Sequence, residues 1–242
     1  MDLGLAGKVA LVTAASKGMG KACAMGLAAE GAKIVMCART ESDLKTAAED
    51  VRAKTKAEVL AMPADVTKKD DVAALVDRAM QSFGGVDILV ANAGGPPRGY
   101  FEDMTDEQWQ GAFDMSLLSV VRLVRGVLPS MKARRWGRIL TIQSVSVKQP
   151  IPELLLSNAV RPGVAGMMKT LAGQLGKDGI TVNTVCPGKT GPTASSEARS
   201  SRACRARSSW PARWRTCPSG ASARRRSSPA SSSSSPPSAP RT

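Results

Sequence analysis

The chain has 242 residues, 43% of them apolar, which is enough to bury the core of one α/β domain. It has no histidine, and this excludes an imidazole base or a histidine-bound metal. Its net charge of +14 is concentrated at one end: beyond residue 190, ten Arg and one Glu give +9, leaving +5 for the first 190 residues. Nothing reaches the roughly 18 uninterrupted apolar residues of a membrane span, the five cysteines show no metal-ligand spacing, and no signal core opens the chain. A cytoplasmic protein with free thiols, no metal and no membrane partner is therefore expected.

From the N-terminus, Val9 to Val12 is a short apolar run of the kind a strand covered on both faces requires, and it leads directly to Gly18 and Gly20 at a helix start. Free backbone N–H groups and the positive end of the helix would converge at that turn. This suits a pyrophosphate; tight strand-on-helix packing is the alternative use of such a glycine pair. The helix is predicted from about Gly18 to Glu30, with Gly31 as its stop, and a second strand from Lys33 to Cys37. Thr40 and Asp43 have capping-box spacing ahead of a helix whose Leu44, Ala47, Ala48 and Val51 share a face. Glu58 to Met62 reads as a third strand. Thr67 with Asp70 is expected to cap the next helix, whose Val72, Leu75, Val76, Ala79, Met80 and Phe83 form a stripe ended by Gly84-Gly85.

Asp87 to Ala91 is a fourth strand, and Thr105 with Gln108 opens a long helical region through Trp109, Phe113, Leu117, Val121, Val124 and Leu128. Arg138 to Ile142 is a fifth strand. Val164, Met167, Met168, Leu171 and Leu175 hold helical spacing up to Gly179, and Ile180 to Val185 is a sixth strand. Such a series predicts a doubly wound parallel sheet with helices on both faces, a Rossmann-like α/β domain over residues 1–190. Residues 191–242 contain no Val, Leu, Ile, Met, Phe or Tyr, and are predicted to be a disordered tail rich in Arg, Ser, Pro and Ala that cannot supply a seventh strand. A shifted reading frame of a GC-rich gene would give such a composition. Binding of nucleic acid or an acidic partner by those arginines is the alternative use, and it ranks last.

Four short motifs then stand in order: Thr13-Ala14-Ala15-Ser16-Lys17-Gly18-Met19-Gly20, Asp65-Val66, Asn92-Ala93-Gly94 and Pro187-Gly188. Over about residues 5–188 they resemble those of short-chain dehydrogenases/reductases, and of 3-oxoacyl-carrier-protein reductases in particular. Ala14 stands where the family's first glycine does. The resemblance implies that the first motif holds the cofactor's pyrophosphate, Asp65 and Val66 its adenine, and the other two motifs the rest of the dinucleotide. No acidic residue ends the second strand, whereas Arg39 follows it, Lys17 lies in the glycine turn, and Thr40 adds a hydroxyl. Two cations there favour NADP over NAD.

By the family's spacing, Ser144 matches the serine that polarises the carbonyl, Ser157 stands in the tyrosine's place, Arg161 in the lysine's, and Ser116 in that of the asparagine holding a water relay. Arg161 would also hold the nicotinamide ribose. An alkyl hydroxyl is a much weaker acid than a phenol, and a guanidinium cannot relay protons as lysine does. Pro162 is expected to start the following helix or to kink it. Tyr100, the chain's one tyrosine, is far away in sequence.

The resemblance implies an NADP-dependent oxidoreductase working between a carbonyl and a secondary alcohol, an acyl thioester among the candidate substrates, and a homodimer formed through the long helices. A relative that binds nucleotide without catalysis is the alternative.

Overall fold

The structure, a computed structural model, describes residues 2–188; the expected tail and the question of a seventh strand lie outside the described residues. Six strands run β1 (Val9–Val12), β2 (Lys33–Ala38), β3 (Val59–Pro63), β4 (Ile88–Ala91), β5 (Gly137–Ile142) and β6 (Ile180–Val185). All pair in parallel in the order β3-β2-β1-β4-β5-β6. Chain order thus reverses between β1 and β4, and a crevice opens there beyond the strands' C-terminal ends.

Both faces of the sheet are covered, which is why the strands read as apolar runs. On one face Leu11, Val35, Leu89, Ile139 and Val182 pack with the apolar stripes of α3 (Lys69–Phe83), α5 (Ser119–Arg134) and α6 (Leu155–Leu175). On the other, Ala10, Val12, Ile34, Met36 and Val90 meet α1 (Gly18–Ala29) and α2 (Glu41–Thr55). The alternation of neighbours such as Ala10 and Leu11 between the two clusters follows from the period-two pleat of a strand.

Helix starts differ from expectation in two places. Thr40 precedes α2 without a side-chain cap bond, and the Asp43 carboxylate pairs with Lys17. The residue before α3 is Lys68, and the Thr67 hydroxyl donates to Asp65 (2.8 Å) rather than capping. Thr105 and Gln108 do form the expected reciprocal box ahead of α4 (Asp106–Phe113). The long region after it is interrupted by a π-helical segment, Asp114–Leu118, before α5.

The helix does not begin at Pro162. It begins at Leu155 and runs through the proline. Pro162 forfeits the bond to the Asn158 carbonyl, but Leu156 and Val160 are buried against Ala112 of α4, and the Asn158 side chain bonds both Ile151 O (2.7 Å) and Ile151 N (3.2 Å). That burial and anchoring keep the turn before the proline helical, so Ser157 and Arg161 lie one turn apart on one face.

Candidate active site

Thr13, fully buried where β1 ends, exchanges two hydrogen bonds with Asn92 where β4 ends. Its Oγ1 donates to Asn92 O (2.6 Å) and accepts from Asn92 N (2.9 Å), which fixes the two strands that flank the reversal. Asn92 Nδ2 donates onward to Ala14 O at 3.4 Å. Ala14 sits at φ +47°, in the left-handed region where a Cβ is strained, and Gly18 follows at φ +56°. Gly20 passes beneath the same turn: a Cβ there would collide with Ala14 O and stand 2.9 Å from Asn92 Nδ2. No side chain caps the first turn of α1, so its amide groups face a glycine-lined turn open to a ligand. That donor set fits the pyrophosphate of a dinucleotide.

Around this turn Ser16 is half-buried, Met19 is exposed, and Lys17 bonds Asp43 at 2.9 Å. Arg39 and Thr40 are exposed after β2, and Arg39 forms no ion pair among the described residues. Asp65 Oδ1 accepts from Thr67 N (3.0 Å) and Thr67 Oγ1 (2.8 Å), and its own amide donates to Asp71 Oδ2 (2.8 Å). Partial burial pushes its carboxyl up, but the Thr67 bonds and the charges of Arg39 and Lys68 outweigh this and hold it below the usual range. Val66, beside it, is half-buried.

On the other side of the crevice, Ser144 follows β5 and its Oγ accepts from Ser146 N (3.1 Å). Ser157 is 5% exposed and its Oγ lies 3.2 Å from Ser146 Oγ, so its hydroxyl bonds another hydroxyl. Arg161 is 7% exposed. Its Nη1 donates to Gln143 Oε1 (3.1 Å) and Ile142 O (3.4 Å), and its Nη2 to Gly94 O (3.2 Å). No carboxylate pairs with it among the described residues. Burial pulls its pKa down, and Cys186, next to Pro187 and Gly188 after β6, opposes that shift. Ser116, in the π segment, is buried with an unpartnered Oγ. A small pocket joins Asn92, Ala93, Ser119, Gln143 and Arg161.

A family model described as short chain dehydrogenase matches residues 8–203. The chain belongs to that family. Among its short-chain dehydrogenase relatives, D-beta-hydroxybutyrate dehydrogenase of Rhizobium meliloti (strain 1021) is 36% identical over 182 residues, covering 75% of this chain and 70% of that protein. The 3-oxoacyl-[acyl-carrier-protein] reductase of Vibrio cholerae (serotype O1, El Tor Inaba N16961) is 37% identical over 186 residues, 77% of this chain and 75% of the relative. Among solved structures, L-sorbose reductase from Gluconobacter frateurii, complexed with NADPH and L-sorbose, superposes with a TM-score of 0.76 at 39% identity, over 78% of this chain and 72% of that one.

Sequence reasoning missed two residues of the site. Gln143 carried a usable signal, being a long polar side chain directly after the apolar end of β5. Ser146 carried none, because the 3-10 turn Val145–Val147 is what swings it toward Ser157. Tyr100, remote in sequence, lies on a loop fastened to the residues before α6: Gly99 N donates to Glu153 O (3.0 Å), Gly99 bridges Leu154, and Arg98 reaches Glu153 at 3.7 Å.

Two substitutions test these geometries. Replacing Ala14 with Gly relieves the positive φ and is expected to raise stability by about 0.5–1 kcal/mol, the strain outweighing glycine's extra freedom when unfolded; denaturant titration measures it. Asp65→Asn weakens the Thr67 bonds, so it is expected to lower the melting temperature at neutral pH. Because the folded carboxyl titrates below its unfolded value, Asp65's contribution is complete above about pH 4 and fades as pH falls further. Melting curves of the two proteins should therefore converge in acid.

Proposed function

We propose that the chain is an NADPH-dependent reductase of ketones, with 3-oxoacyl thioesters the foremost substrate class, in which Ser144 and Arg161 hold the carbonyl oxygen and water supplies the proton. The observation that carries this reading is the Arg161 guanidinium, buried at the switch-point crevice with only neutral acceptors. Bound NADPH would supply a hydride to the carbonyl carbon and leave oxidised. As that C–H bond forms, the carbonyl π pair moves onto oxygen. The Ser144 hydroxyl donates to this oxygen, and the Arg161 charge stabilises it. A water molecule then gives it a proton and becomes hydroxide. Ser157, bonded to Ser146 at 3.2 Å, can orient such a water but is too weak an acid to replace it. The unpartnered Ser116 hydroxyl supports a buried water along the same path.

Thr13, Ser16, Gly18, Met19 and Gly20 would cradle the pyrophosphate, with Asp65 and Val66 at the adenine and Asn92, Ala93, Gly94, Pro187 and Gly188 along the nicotinamide half. Exposed Arg39, the free Thr40 hydroxyl and the lack of an acid ending β2 support a 2′-phosphate, which Lys17 would join on leaving Asp43. The NADPH in the Gluconobacter L-sorbose reductase complex agrees with this preference. A homodimer through α4, α5 and α6 is supported by Phe113, 42% exposed at the end of α4. Cytoplasmic residence is supported by the lack of any helix long and apolar enough to cross a membrane among the described residues.

Titrating the protein with NADPH and NADH, then following NADPH loss with ketones and 3-oxoacyl thioesters, tests the reading. NADPH is expected to bind more tightly, and Arg39→Asp to erase or reverse that preference. Equal affinities in the unaltered protein, or no NADPH consumption with any ketone, would contradict it.

A further inference from the structure

A guanidinium carries five N–H donors and no acceptor. In Arg161 both Nη1 hydrogens are committed, to Ile142 O and Gln143 Oε1, and one Nη2 hydrogen is committed to Gly94 O. Nε–H and the second Nη2–H have no acceptor among the described residues. Bonds to the end of β5 and to the loop after β4 hold the guanidinium plane, and its remaining donors stay available to a ligand. Of the three acceptors, Ile142 and Gly94 offer backbone carbonyls that no substitution removes. Gln143 alone contributes a side chain, 7% exposed, so it is the adjustable part of the cradle.

Its charge state matters as much as its reach. The Gln143 carbonyl dipole orients the guanidinium without cancelling its positive charge. A carboxylate on the same stem would form a buried, charge-assisted pair and neutralise the field that Arg161 projects into the crevice. We infer that Gln143 is a positioning residue: it keeps Arg161 aligned and uncompensated, so that the whole charge acts on the oxygen held beside Ser144. This inference rests on the reading of Arg161 given under the proposed function.

The two demands can be separated because they move stability and turnover in opposite directions. A buried cation without a counter-ion is costly, and giving it one relieves that cost. Gln143→Glu is therefore expected to leave the melting temperature of the ligand-free protein unchanged or raised, while kcat falls on the order of 100–1,000-fold, the scale of losing one oxyanion-directed interaction. Gln143→Met, which removes the acceptor and adds no charge, is expected to lower both melting temperature and kcat. A side chain with only a structural role would move the two readouts together in both variants.

Arg161→Met is measured in parallel. If it lowers kcat while Gln143→Glu leaves kcat unchanged, or lowers kcat and melting temperature together, the inference about Gln143 is overturned and the reading of Arg161 stands. If Arg161→Met itself leaves kcat unchanged, the reading of Arg161 fails, and the inference falls with it.

Discussion

Burying a guanidinium without a carboxylate is expensive, and the site is built around that cost. Arg161 is 7% exposed, and its protein partners are all neutral oxygens. Such a group persists only if its surroundings hold it firmly, because both partial solvation and good geometry are needed to offset lost hydration. Here the holding comes from the sheet itself. The end of β5 and the segment following β4 supply the acceptors, and α6 supplies the arginine from a turn kept helical by Leu156, Val160 and Asn158 despite Pro162.

The same sheet topology sets the glycine turn from Ala14 to Gly20 directly after β1, beside β4. The reciprocal Thr13–Asn92 bonds close the junction between β1 and β4, and Asn92 passes that order on to the strained Ala14 turn. One side of the crevice therefore presents uncapped amides at the start of α1, and the other a fixed positive charge with hydroxyls beside it. The arrangement suits holding an anionic dinucleotide and stabilising negative charge as it develops on a substrate oxygen. Beside that charge, the Ser157 and Ser146 hydroxyls bond one another.

Most of the fold was legible in the sequence, because buried parallel strands and one-sided helices leave strong periodic signals. The run Ile180–Val185 and the stripe Val72, Leu75, Val76 and Ala79 lie where their patterns put them. Caps were less legible. The side chains of Thr40 and Thr67 had suitable spacing, yet the Asp43 carboxylate is engaged by Lys17 and the Thr67 hydroxyl by Asp65, and spacing along the chain carries no record of such competition. Of the two outcomes expected at Pro162, a helix start is excluded, because burial of residues distant in sequence keeps the preceding turn helical. In the site, motif spacing singles out Ser144, Ser157 and Arg161, and the polar Gln143 after the apolar β5 carried a signal that went unused, whereas Ser146 became visible only once strand and helix ends met. The loop carrying Tyr100 likewise reached α6 through a backbone bond at Gly99 that no sequence pattern encodes.

The central claim is that a permanently charged arginine and water do the work that elsewhere in the family falls to a tyrosine. It is tested most directly by the pH dependence of kcat for carbonyl reduction between about pH 6 and 10, the range in which a cation-perturbed phenol would titrate. Neither the serine hydroxyls nor the guanidinium changes protonation there, so the profile of Tyr100→Phe is expected to match that of the unaltered protein. An inflection within that range that disappears in Tyr100→Phe would contradict the claim.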